Sequence, residues 1–159
     1  ILYIRVLLPL RERGVDIFQE RSVTSSIVYQ AARLPAPTSG GASEQPPTIE
    51  QLLTLEGNAL ALAHPPDLCI VLSVEPQRAI QRLQLRSEKQ DAAIFEKLPI
   101  LEQLHERYHS AWFRDLLARY GWRIEYLDAN GAVEDAVSSA QKLYETYARA
   151  PHIPLTVNR

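Results

Sequence analysis

The residues best suited to chemistry form one segment. Glu20 and Arg21 follow the short apolar run Val15-Asp16-Ile17-Phe18-Gln19, and Ser22, Thr24, Ser25 and Ser26 lead into Ile27-Val28-Tyr29-Gln30. An arginine fork can hold a phosphate through two parallel hydrogen bonds, and a helix N-terminus adds backbone N–H donors and a favourable dipole. A carboxylate next to the arginine can fix its rotamer or take a proton from a substrate hydroxyl. The spacing alone fits a strand-end arginine in a surface ion pair equally well. A second basic set, Arg82, Arg86 and Lys89, reads either as a solvated helix face or as groups that close over a transferring phosphoryl.

His105-Glu106-Arg107-Tyr108-His109 matches the H-E-x-x-H pattern, in which two histidines at i and i+4 share a zinc ion and the glutamate acts as base. Charged Arg107 between the histidines argues against a protease. Glu125, the nearest candidate third ligand, falls on a predicted strand. The bland alternative is a pair of solvent-side histidines beside a core stripe, and a zinc metalloprotease remains the remote reading.

The elements that must position these groups follow from pattern. Residues 5–13 read as an amphipathic helix end with Gly14 as its stop. Residues 15–19 read as a short strand, and 23–32 as a helix opened by cap-type Thr24, Ser25 and Ser26. Four prolines and two glycines make 34–47 a loop. Thr48 and Gln51 form a capping box for a helix running to about Glu56, with an interruption at Gly57-Asn58. Leu68 to Val74 is continuously apolar, as expected of a strand buried on both faces of a parallel sheet. Helices are predicted over 77–86, 95–119 and 132–148, and a strand over Arg123 to Asp128. The tail, 151–159, carries two prolines.

Strands near 15–19, 68–74 and 123–128 alternate with helices, so an α/β domain over 1–150 with a parallel sheet is expected. Ligands bind such sheets beyond the carboxyl ends of the strands. That singles out Glu20-Arg21-Ser22, Glu75-Pro76 and Asp128-Ala129-Asn130.

Composition sets outer limits. With 46% hydrophobic and 23% charged residues, the chain has the balance of a soluble globular domain. A net charge of −2 gives no overall attraction to nucleic acid or to an anionic membrane. A lone cysteine, Cys69, in an apolar run suits a reducing compartment, and a cytoplasmic location is expected. The opening Ile-Leu-Tyr-Ile is too short to span a bilayer, and a chain that starts mid-pattern without methionine reads as trimmed at its N-terminus.

Taken in order, these motifs resemble the thymidylate kinase family of P-loop nucleoside monophosphate kinases. Glu20-Arg21-Ser22 with Ser25, Ser26, Tyr29 and Gln30 is similar to the family's Asp-Arg-Tyr motif and its Ser-x-x-Tyr-Gln continuation. Pro66-Asp67-Leu68 through Val74-Glu75-Pro76 is similar to its Pro-Asp-Leu…Leu-Asp-Val-x-Pro strand. Ala79 to Arg86, then Asp91, Phe95-Glu96 and Leu101 to Tyr108, resemble the entry and exit of its lid, placed here at about 82–96. Tyr126-Leu127-Asp128-Ala129 resembles the last strand and the turn at adenine. The resemblance implies a three-layer P-loop kinase-like sheet flanked by helices. It also implies Mg²⁺-dependent transfer of the ATP γ-phosphoryl to dTMP, and a homodimer. Arg21 would grip the acceptor phosphate, with Ser25, Ser26, Tyr29 and Gln30 around the base. Glu20 would orient Arg21 or help position the metal, although no protein ligand is assigned to the ion. Arg82 and Arg86 would sit over the donor, with Asp128, Ala129 and Asn130 at adenine.

The departures are specific. Glu-Arg-Ser is the form of deoxynucleoside kinases on the same fold, so a nucleoside acceptor with Glu20 as base is the alternative. Ser73 stands where the family's strand-end aspartate is expected. The three lysines, Lys89, Lys97 and Lys142, follow no glycine, so G-x-x-x-x-G-K-S/T is absent from these 159 residues. A sheet without the P-loop strand would leave two apolar strand edges facing a gap, at about 1–3 kcal/mol per unpaired buried backbone group. This predicts a chain that is neither stable nor active as a kinase by itself. A nucleotide-binding module without turnover is the third reading.

Overall fold

The computed structural model describes residues 3–32, 48–85 and 97–148. The expected lid positions Arg86, Lys89, Asp91 and Phe95-Glu96, the 34–47 loop and the tail lie outside these residues.

A single π-helical turn, Tyr3–Leu7, runs into α1 (Leu8–Glu12). Gly14 follows at φ 69°, the left-handed conformation expected of its stop role. Arg11 ties this end to the turn before the first strand. Its Nη1 donates to the Pro65 carbonyl at 3.0 Å, and its Nη2 lies 3.4 Å from the Asp67 carboxylate.

Residues 15–19 correct the expected strand: they join no ladder, and the sheet described has two strands. The Val15 N–H turns back to the Leu10 carbonyl at 3.1 Å. With no strand alongside among the described residues, Val15, Ile17 and Phe18 stay exposed, Phe18 at 78%. Phe18 meets a tilted Tyr144 ring at 5.3 Å, and Tyr144 Oη donates to Asp16 at 3.1 Å.

Helix α2 (Val23–Ala32) has the expected range, but its cap lies one position before it. Ser22 is the cap: its Oγ accepts the Thr24 N–H at 3.3 Å and bonds Thr24 Oγ1 at 2.8 Å. Thr24 itself is buried. Helix α3 (Ile49–Thr54) carries the predicted capping box, with both Thr48–Gln51 bonds made. The break that follows falls at Leu55 (φ −56°, ψ 127°), not at Gly57-Asn58, and α4 (Glu56–Ala63) contains both of those residues. Asn58 Nδ2 donates to the Leu52 carbonyl that the break frees, at 2.7 Å. One polar side chain thus bridges the kink.

Strands β1 (Cys69–Ser73) and β2 (Ile124–Asp128) pair in parallel, with Cys69 opposite Ile124 and Ser73 opposite Asp128. Between them run α5 (Pro76–Gln84), α6 (Leu98–His109) and α7 (Ala111–Arg119). The single helix expected over 95–119 is therefore two. Ser110 takes extended backbone (φ −68°, ψ 151°), and its Oγ accepts the Phe113 N–H at 3.2 Å while donating to the Arg107 carbonyl at 2.7 Å. A serine that can cap the next turn competes with helix continuation, and here it wins. Gly121 closes α7 at φ 76°, as expected. Helix α8 (Val133–Ala148) follows the second strand.

The core lies on one face of the strand pair. Val23, Ile27 and Val28 of α2, Ala61 and Leu62 of α4, Leu104 of α6, and Phe113, Leu116 and Leu117 of α7 pack with Trp122. Trp122 Nε1 donates to the Leu62 carbonyl at 3.1 Å, so the buried indole is satisfied. Cys69, Val71 and Ile124 meet this cluster from the sheet. Each fully buried aliphatic or aromatic side chain there contributes about 1.5–3 kcal/mol. Helix α8 lies against β2, where Tyr147 Oη donates to Glu125 at 2.6 Å. The opposite face of β1 is less covered: Leu72 is 61% exposed, so the strand expected to be buried on both faces is open on one. The architecture is helix-rich α/β, built on a two-stranded parallel sheet. Among the described residues no helix is long and apolar enough to cross a membrane.

Candidate functional site

The chain brings three groups of predicted residues to the carboxyl end of β1 and the opening of α2. The first surrounds Arg21. Its backbone is left-handed, φ 60°, at a position that is not glycine. Such a conformation costs about 1–2 kcal/mol and turns the chain sharply from 15–19 into α2. The guanidinium stands 5.9 Å from the centre of the Tyr29 ring, at the limit of a cation–π contact. Ser25 accepts a 3.4 Å hydrogen bond from Tyr108 Oη. Burial raises the Tyr108 phenol above its ordinary range, while the Ser25 bond and the nearby Arg21 charge pull against that rise. Arg21, Ser25, Tyr29 and Tyr108 are therefore one cluster, and Tyr108 is its member from the long helix. Sequence reasoning gave Tyr108 no site role of its own; its partner Ser25, 83 residues earlier, could not be read from spacing.

Gln30 Oε1 is buried with no hydrogen-bond partner among the described residues, which is uncommon for a buried acceptor. Ser26 is half-buried on the same helix. Glu20 is exposed, and among the described residues no ion pair joins it to Arg21. The expectation that this carboxylate fixes the arginine's rotamer is not met.

The second group is the turn after β2. Asp128 Oδ1 accepts both the backbone N–H and the side-chain Nδ2 of Asn130, at 2.9 and 2.8 Å. Asn130 Oδ1 accepts the Glu75 N–H at 2.8 Å, and the Ala129 N–H donates to the Ser73 carbonyl at 2.9 Å. Arg82 Nη2 donates to the carbonyls of Asn130 and Gly131 at 3.1 and 2.9 Å, and Arg78 Nη1 donates to that of Asn130 at 2.9 Å. Arg82, expected over a donor phosphate, braces this turn. Its neighbour one helical turn back, Arg78, was missed. An i, i+4 arginine pair on the first helix after a strand is the signal that could have found it.

The third group links the other two. Ser73 Oγ lies 2.9 Å from His109 Nε2, and His105 Nδ1 lies 3.2 Å from the Val74 carbonyl. The His109 ring stacks on Tyr126 at 4.8 Å, and Tyr126 Oη donates to the Tyr108 carbonyl. Both histidines are half-buried against the strand end, not on the solvent side of α6. Burial, and after it the neighbouring His105 and Arg114, push the His109 pKa below its ordinary 6.5, while Glu75 pulls it up. Among the described residues no three His, Cys, Asp or Glu side chains gather as a metal-binding group. A zinc protease set lacks its third ligand there. A separate groove of about 390 Å³ runs between β2 and α8, lined in part by Leu127, Lys142 and Leu143.

No protein-family model matches the chain, and no solved structure matches it.

Proposed function

We propose that this chain carries the acceptor side of a nucleotide kinase of the thymidylate kinase type, which transfers the ATP γ-phosphoryl to dTMP. The observation that carries this reading is the cluster of Arg21, Ser25, Tyr29 and Tyr108 at the opening of α2. An exposed guanidinium for a phosphate stands there beside an aromatic face for a base, and the strained backbone at Arg21 is the kind retained where function needs it. The unpartnered Gln30 Oε1 on the same helix is an acceptor suited to a base N–H.

On the donor side, the turn at Asp128-Ala129-Asn130 is held rigid by Arg78 and Arg82, a surface fit for adenine. Catalysis in such enzymes is chiefly positioning and charge neutralisation. Mg²⁺ would be held chiefly by the substrate phosphates, as is usual for such sites. The 159 residues contain no Gly-Lys dipeptide, and a phosphate-cradling loop would have to be supplied from outside them.

Calorimetric titration of the chain with dTMP tests the acceptor site without requiring turnover. Binding of dTMP, weakened at least tenfold by Arg21→Ala, is expected. Thymidine should bind more weakly and be indifferent to that substitution. Absence of dTMP binding, or binding untouched by Arg21→Ala, would overturn the reading. Thymidine binding as tightly as dTMP would favour a nucleoside acceptor.

A further inference from the structure

The two histidines of α6 are not used by the proposed transfer. They stand one helical turn apart and face the carboxyl end of β1, with ring centroids 4.4 Å apart and planes inclined at 37°. His105 Nδ1 faces a carbonyl, which can only accept, so Nδ1 carries the proton and neutral His105 keeps its lone pair on Nε2. His109 is anchored through Nε2 to the Ser73 hydroxyl; when that nitrogen donates, Nδ1 holds the free lone pair. An imidazole whose second nitrogen is fixed by a carbonyl or similar group is the usual arrangement of a metal-bound histidine. Tyr126 stacks on His109 and limits its rotation.

We propose that His105 and His109 together chelate one divalent transition-metal ion, with zinc as the natural candidate, at the carboxyl end of β1. Tetrahedral zinc with Zn–N bonds of about 2.0–2.1 Å needs two nitrogens about 3.3 Å apart. The ring centroids, 4.4 Å apart, bring both imidazoles within reach of one ion. Two imidazoles favour zinc, nickel or copper over magnesium and calcium, which prefer oxygen. Among the described residues no third His, Cys, Asp or Glu side chain joins the pair. Glu75 and Arg114 face His109 with opposite charge, so the carboxylate favours the ion and the guanidinium opposes it.

Equilibrium dialysis of the chelator-stripped chain against micromolar Zn(II), repeated with Co(II) for its visible spectrum, is the test. One equivalent is expected to be retained and to resist excess Mg(II). His105→Gln and His109→Gln should each lower retention at least tenfold, with circular dichroism confirming that both variants remain folded. Retention no greater than that of the doubly substituted chain, or full retention in either folded single variant, would overturn the site.

Discussion

Arg21 shows how a single residue can serve binding at the expense of the fold. Its φ of 60° is a conformation glycine adopts freely and arginine does not. Arg21→Gly is expected to stabilise the chain by about 1 kcal/mol, seen as a higher urea midpoint, while abolishing dTMP binding. A lower midpoint would mean that the guanidinium contacts outweigh the backbone strain. Cys69 gives a pH signature at the same scale. Its burial raises the thiol from 9.0 to about 11. The folded state favours the protonated form, so this contribution is complete below 9 and is lost as pH rises towards 11. Comparing denaturation at pH 8 and pH 10.5, the wild type should lose more stability than Cys69→Ala. Equal losses would show that the thiol is not protected. The same burial predicts slow reaction of Cys69 with disulfide reagents until the chain unfolds.

At the scale of elements, what could be read from sequence follows a physical division. Strand β1 was legible because a long apolar run after Pro65-Pro66 leaves few alternatives, and β2 because Ile124, Tyr126 and Leu127 follow directly on the stop at Gly121. The capping box at Thr48 and the stops at Gly14 and Gly121 were legible because each is a local backbone requirement. The break after α3 was read two residues late, at Gly57-Asn58, and the one at Ser110 was not read, because both sit inside helical apolar patterns and are settled by side-chain bonds of Asn58 and Ser110. The strand at 15–19 failed for a different reason: its pattern was right for pairing, but a strand needs a neighbour. In the site, Arg21, Ser25 and Tyr29 were legible as a local run. Tyr108, Arg78 and the Ser73–His109 bond depend on contacts between distant segments. Ser110→Ala tests the break. It should cost about 1 kcal/mol through the lost cap, read as a lower melting temperature, and leave helix content nearly unchanged. No loss of stability would mean that the kink is imposed by packing around Phe113.

Across the whole molecule, the uneven cover of the sheet dominates. Leu72 at 61% exposure, with exposed Ile17, Phe18, Val133 and Val137, gives the described residues an apolar surface to bury. Concentration-dependent self-association is expected, visible by sedimentation or light scattering. Leu72→Lys should reduce it while changing unfolding free energy by less than about 0.5 kcal/mol, as for an exposed site. An unchanged association profile would place the sticky surface elsewhere.

The parallel pairing of Cys69 with Ile124 and Ser73 with Asp128 has a kinetic consequence. Neither strand can find the other until α5, α6 and α7 have brought the chain back, and the entropy of closing that crossover is spent before the ladder returns any of it. The helices can flicker into shape early and locally. The sheet is therefore the late event, and it carries both Ser73 and the Asp128 turn at its carboxyl end. The Ser73 anchor and the Asp128 turn would take shape only in the final step of folding, so a partly folded chain would have much of its helix and lack both.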